Sequence, residues 1–89
     1  MQLLVRNRVA DFKTWLEAFD ADRERAAGFG LAPAGIWQSK DDPNEVFFLL
    51  DVEDVDRADA FMAQPESRAV GQKAGVIDGD FHYIRRVMR

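Results

Sequence analysis

Five apolar residues in a row, Val46, Phe47, Phe48, Leu49 and Leu50, follow the polar segment KDDPNE at positions 40–45. A strand with one face in water alternates apolar and polar residues, because successive side chains point to opposite faces. VFFLL does not alternate, so a strand here has to be covered on both faces. The chain has 89 residues, enough for one hydrophobic core and a single domain spanning 1–89. At this size only about 60–65% of the unfolded surface is buried on folding, and oligomerisation is a common supplement. The second cover for VFFLL is therefore the question that shapes the fold.

The rest of the chain reads as alternating strands and helices. Residues 2–9, QLLVRNRV, form a strand with Leu3, Val5, Asn7 and Val9 on one face and Leu4, Arg6 and Arg8 on the other. Asp11 is placed to cap a helix whose apolar stripe is Phe12, Trp15, Leu16 and Phe19, with Gly28 as its stop. LAPAGIWQSK, about 31–40, is a looser strand, and Pro33 puts it at a sheet edge or starts it after the proline. DDPNE is a turn and VFFLLDV the third strand.

Asp54 then caps a second helix with Val55, Ala58, Phe61 and Met62 inward. Pro65 suits the first turn of a further helical stretch ended by Gly75. VIDGD reads as a turn, and FHYIRRVM, 81–88, as the last strand. The segments VADF…AF at 9–19 and VEDV…AF at 52–61 echo one another. Two such units give an α+β fold, the ferredoxin-like β-α-β-β-α-β plan with a four-stranded antiparallel sheet. Right-handed crossovers place the third strand between the first two and the fourth beside the first. Both helices then cover one face of the sheet. The other face is left bare.

By parity, either Val46/Phe48/Leu50 or Phe47/Leu49 points away from the helices. A monomer rarely tolerates the apolar patch this creates. The expectation is a homodimer through the sheet face opposite the helices, with the two sheets packed into a barrel-like core.

Composition narrows the function classes. A net charge of −4 argues against nucleic-acid partners, whose binding comes mainly from phosphate neutralisation, and against anionic membrane surfaces. With no cysteine, disulfides, thiolate metal sites and cysteine nucleophiles are excluded. Arginines interrupt the N-terminal MQLLVRNRV where a signal peptide needs its apolar core. No apolar run approaches the ~20 residues of a membrane span. The expectation is a cytoplasmic protein without a membrane partner.

The segments DFKTWLEAFD…R…AAGFG, DDPNEVFFLLDVEDVDRADAFMAQPESR and AGV resemble the small dimeric α/β-barrel proteins of the antibiotic-biosynthesis-monooxygenase-like superfamily. The similarity runs from Val5 to about Tyr83, with the DPNEV turn and the QPESR…AGV stretch its most specific parts. The resemblance implies a pocket between sheet and helices, holding an aromatic or polyketide-like substrate in the enzyme members. It also implies a monooxygenase that needs no cofactor, because the deprotonated substrate itself passes an electron to oxygen. The alternative is a non-catalytic ligand-binding or stress-related homodimer. A cyclase or isomerase role ranks below both.

Within that frame, the catalytic candidates are Asn7, a polar amide on an apolar strand face, and His82, the one side chain that titrates near neutrality. The substrate-binding candidates are Trp37, which can stack on an aromatic ring, Trp15 in the helix stripe and Tyr83 on the last strand. Trp15 and Tyr83 also have plain structural roles open to them, in the core and lining the dimer interface. Arg6 and Arg8 are expected beside Arg85 or Arg86 and Asp51 or Glu53, as a salt-bridged sheet end. Asp20, Asp22, Arg23, Glu24 and Arg25 look like a solvated helix face. Haem-degrading relatives carry a strand-one asparagine, a late tryptophan and a helical histidine. Asn7 fits the first, but no tryptophan follows Trp37 and His82 falls on the last strand, so haem degradation is not expected.

Overall fold

Asp11 starts the first helix in the way the sequence predicts. In a computed structural model, which describes residues 1–88, its carboxylate accepts hydrogen bonds from the Thr14 backbone N–H at 3.0 Å and the Thr14 hydroxyl at 2.9 Å. These bonds, the backbone one foremost, hold the Asp11 carboxyl below the usual range. Helix α1 then runs Phe12–Ala21. Asp54 does the same for α3 (Val55–Ala63), accepting from the backbone N–H groups of Asp56 and Arg57. Pro65 begins α4 (Pro65–Lys73), where its missing N–H leaves no bond unmade. Gly75, at φ 78°, takes the left-handed conformation that ends it.

Between these helices lie β1 (Gln2–Val9), the short helix α2 (Arg23–Ala27), β2 (Leu31–Gln38), β3 (Glu45–Val52) and, last, β4 (Val76–Ile84). The strands form one antiparallel sheet in the order β2-β3-β1-β4. The third strand sits between the first two and the fourth beside the first, as the handedness of the connections requires. The fold is α+β and ferredoxin-like. Among the described residues, no helix is long and apolar enough to cross a membrane.

Pairing register decides the faces. Leu3 opposes Leu50, Val5 opposes Phe48 and Asn7 opposes Val46, and this is the face under the helices. The buried core is Leu3, Val9, Val46, Phe48, Leu50 and Val52 from the two central strands, with Leu31, Trp15, Ala58 and Ala74. Trp15 lies at its centre, its ring 5.1 Å from Phe19 and 5.4 Å from Phe48. Phe47 and Leu49 are thus the pair of VFFLL that points away from the helices.

The opposite face has an apolar middle. Across it run the rows Trp37, Phe47, Arg6, Asp80 and Gly35, Leu49, Leu4, His82. Trp37 is 53% exposed, and its indole lies over Gly35, where a Cβ would come within 2.5 Å of the ring. Pro33 lies on the edge strand β2, which is interrupted between Pro33 and Gly35.

Four details differ from the sequence reading. VIDGD is the first half of β4, so the last strand is 76–84 in place of 81–88. Asp-Gly favours turns, but here Gly79 is needed inside the ladder. A Cβ there would stand 2.4 Å from the Arg6 carbonyl oxygen and 2.6 Å from the Asn7 carboxamide. With β4 starting early, Arg6 meets Glu45, Asp78 and Asp80 at 3.2–3.3 Å, in place of Asp51, Glu53 and the C-terminal arginines. The helix expected to reach Gly28 breaks at Asp22, giving α1 and α2. Tyr83 opposes Leu3 and so lies on the helix side, away from the bare face.

Candidate functional site

The helices do not fill the space above the sheet. A cavity of ≈ 170 Å³ remains, floored by Asn7, Pro33, Phe48, Leu50 and Val76 from the strands. Trp15 and Phe19 of α1, Phe61 of α3, Val70 and Gly71 of α4, and Ala74 just after α4 close it from the helical side. Four aromatic rings therefore face an apolar space. Its polar lining is Asn7 below and Asp22, Arg23 and Ser67 above.

Asn7 is placed by its neighbours. With its carboxamide turned so that both groups are satisfied, the oxygen accepts from Trp15 Nε1 at 3.3 Å and the nitrogen donates to the Arg6 carbonyl at 3.0 Å. The indole N–H of a nearly buried tryptophan thus finds its acceptor in a side chain. One carboxamide N–H and one oxygen lone pair remain uncommitted.

The helical wall is tied together by Arg25. Its guanidinium donates to both Asp22 carboxylate oxygens at 2.8 and 3.0 Å, to Gln64 Oε1 at 2.9 Å and to Ser67 Oγ at 2.8 Å. The Ser67 hydroxyl passes on to the Phe61 carbonyl. Gln64 joins α3 to α4, so this one side chain connects α2 to both. At the far end of α2, Arg57 donates to the Gly28 carbonyl at 2.7 Å, and Phe29 packs edge-on against Phe61.

No family model matches the chain, and no curated protein is similar to it. Solved structures are similar. The crystal structure of an antibiotic biosynthesis monooxygenase superposes with a TM-score of 0.71 at 17% identity, covering 98% of each chain. A Bordetella bronchiseptica protein provisionally given the same name superposes at 0.81 and 14% identity, covering 98% of this chain and 96% of the other. An uncharacterized NIPSNAP domain protein from Burkholderia xenovorans gives 0.65 at 14% identity, over 100% and 99%.

This chain has the antibiotic-biosynthesis-monooxygenase-like fold. Of the candidates read from the sequence, Asn7 and Trp15 come together in its cavity. Trp37 and His82 do not, because pairing with Phe47 and Leu4 turns both to the opposite face, Trp37 after the register shift that follows Pro33. The His82 side chain is 70% exposed there, with Nε2 3.9 Å from Asp80. Tyr83 is on the helix side but is engaged by α3, donating to Asp59 Oδ1 at 2.5 Å. Burial first, and the Asp59 bond and charge second, push its phenol up to about 12.

Asp22 and Arg25 have a larger part in this fold than a solvated helix face would, while Arg23 is exposed beside the cavity. The i,i+3 spacing of Asp22 and Arg25 signals their pair. Nothing local signals that Arg25 also meets Gln64 and Ser67 of the other crossover.

Proposed function

We propose that this protein binds a single-ring aromatic molecule between its sheet and helices and oxygenates it without a resident cofactor. The observation that carries the reading is the cavity itself, apolar, four-ringed and served by one anchored amide. Size sets the class of ligand. A dry cavity of about 150 Å³ takes benzene, whereas sites for drug-sized ligands start at about 300 Å³. At ≈ 170 Å³ one ring fits, and a fused polyketide does not without rearrangement. The names of the structural neighbours support oxygenation as the reaction class. The protein's part would be to exclude water and hold the substrate anion beside an oriented donor, for which Asn7 keeps one N–H. A phenolic substrate would supply the electrons and dioxygen would be the oxidant, one oxygen atom entering the ring as a quinone carbonyl and the other leaving as water with the displaced hydrogens.

Binding without turnover is the second reading, and one observation favours it. His82 stands on the other side of the sheet from the cavity. Oxygen uptake with one-ring phenols separates the two. Uptake that is lost in Asn7→Ala supports the enzyme. Ligand binding with no uptake leaves a binding protein, and no binding of any one-ring compound removes both.

The same reading extends to assembly. Phe47, Leu49, Leu4 and Trp37 form an apolar surface that a second copy would cover face to face, making a homodimer.

A further inference from the structure

We infer that the ligand of this cavity is an aromatic anion, recognised by Arg23. The inference rests on the cavity reading above and sharpens it from a ring to an ionised ring compound, a carboxylate or a phenolate.

Three charged groups gather on the helical side of the cavity, and their charges do not cancel. Asp22 lines it, but both its oxygens are taken by Arg25. Arg25 in turn gives two further N–H groups to Gln64 and Ser67 and lays its guanidinium 4.2 Å from the centre of the Phe61 ring. That cluster is neutral and closed. Arg23 also lines the cavity, and among the described residues it has neither an ion-pair partner nor a side-chain hydrogen bond. Asp20 and Glu24, its acidic neighbours in sequence, are exposed and do not line the cavity. Arg23 is itself exposed, so an otherwise apolar space carries one unpaired positive charge at its solvent-facing edge.

Such a site selects a ligand with an apolar ring and a negative group. A guanidinium offers paired donors that match a carboxylate and also reach a phenolate. The choice suits the chemistry as well. The one carboxylate lining the cavity is already paired with Arg25, so no free base stands there to deprotonate a neutral substrate. A substrate that arrives as its phenolate needs none.

The test is binding of benzoate, benzyl alcohol and benzylamine to the full chain, read by quenching of Trp15 fluorescence in a Trp37→Phe background. Benzoate should bind about fivefold more tightly than benzyl alcohol, the scale of one partly exposed ion pair. The advantage should shrink as salt rises. Arg23→Gln should bring benzoate down to the level of benzyl alcohol, and Arg23→Lys should restore part of the difference. Equal binding of benzoate and benzyl alcohol, or tightest binding of benzylamine, overturns the inference and leaves the cavity reading intact. Failure of all three to quench Trp15 removes both. A circular-dichroism melt of each variant separates loss of recognition from loss of fold.

Discussion

The Arg25 guanidinium stands 4.2 Å from the centre of the Phe61 ring while its N–H groups hold Asp22, Gln64 and Ser67. Phe61, Asp22 and Ser67 all line the cavity. One side chain from the first crossover therefore fixes the wall supplied by the second. Arg25→Ala should lose the cation–π contact and leave Asp22 unpaired, costing about 2 kcal/mol. Arg25→Lys keeps the charge without the planar fork and should recover less than half. Urea unfolding measures both; an unchanged midpoint for Arg25→Ala would show the cluster to be ornamental to stability.

Tyr83 is the only tyrosine in the chain, so an ultraviolet titration of the protein reports it alone. Its midpoint should lie at about 12, against about 10 for a free phenol. Because the folded value is the higher one, the stability it contributes is complete below pH ~10 and is lost as pH rises toward its folded value. Asp59→Asn removes the carboxylate and should bring the titration down toward the ordinary value. A midpoint unmoved by that change would mean that burial alone holds the phenol.

Gly79→Ala places a methyl against the Arg6 carbonyl and the Asn7 carboxamide. The strand pair or Asn7 has to give way, at about 1–3 kcal/mol. A companion, Gly71→Ala, meets nothing within 4 Å in an α-helix and should be neutral or slightly stabilising. If the two variants melt together, Gly79 is not the spacer that the geometry requires.

Leu49 lies among half-buried and exposed apolar neighbours on the face away from the helices. Leu49→Glu should leave the helix-side core untouched and convert a dimer to monomer, as read by sedimentation at micromolar concentration. A wild-type chain that sediments as a monomer at that concentration would dismiss the face-to-face pairing.

How far the residues announced this arrangement depends on the range of each interaction. Asp11 and Asp54 cap within three residues, so their roles were legible. The unbroken VFFLL run showed that β3 is interior, because an edge or half-covered strand would alternate. Asp78-Gly79 misled, since the residues that favour a turn are also those that let two backbones approach closely. Arg25 was opaque for a different reason. Gln64 and Ser67 lie 39 and 42 positions away, and no local pattern encodes a meeting of two crossovers. Asn7 and Trp15 were both singled out, but their bond to each other depends on how α1 rests on β1.

The proline and the interruption in β2 also bear on the fate of the sheet as a polymer template. An open sheet edge invites another chain to continue its ladder, and growth into a fibre needs both edges free. Pro33 cannot donate, and the irregularity beside it breaks the regular spacing of the ladder. Only the β4 side is left for strand addition. Two copies joined β4 to β4 across a two-fold axis would each turn a blocked β2 outward, so the association terminates at a pair.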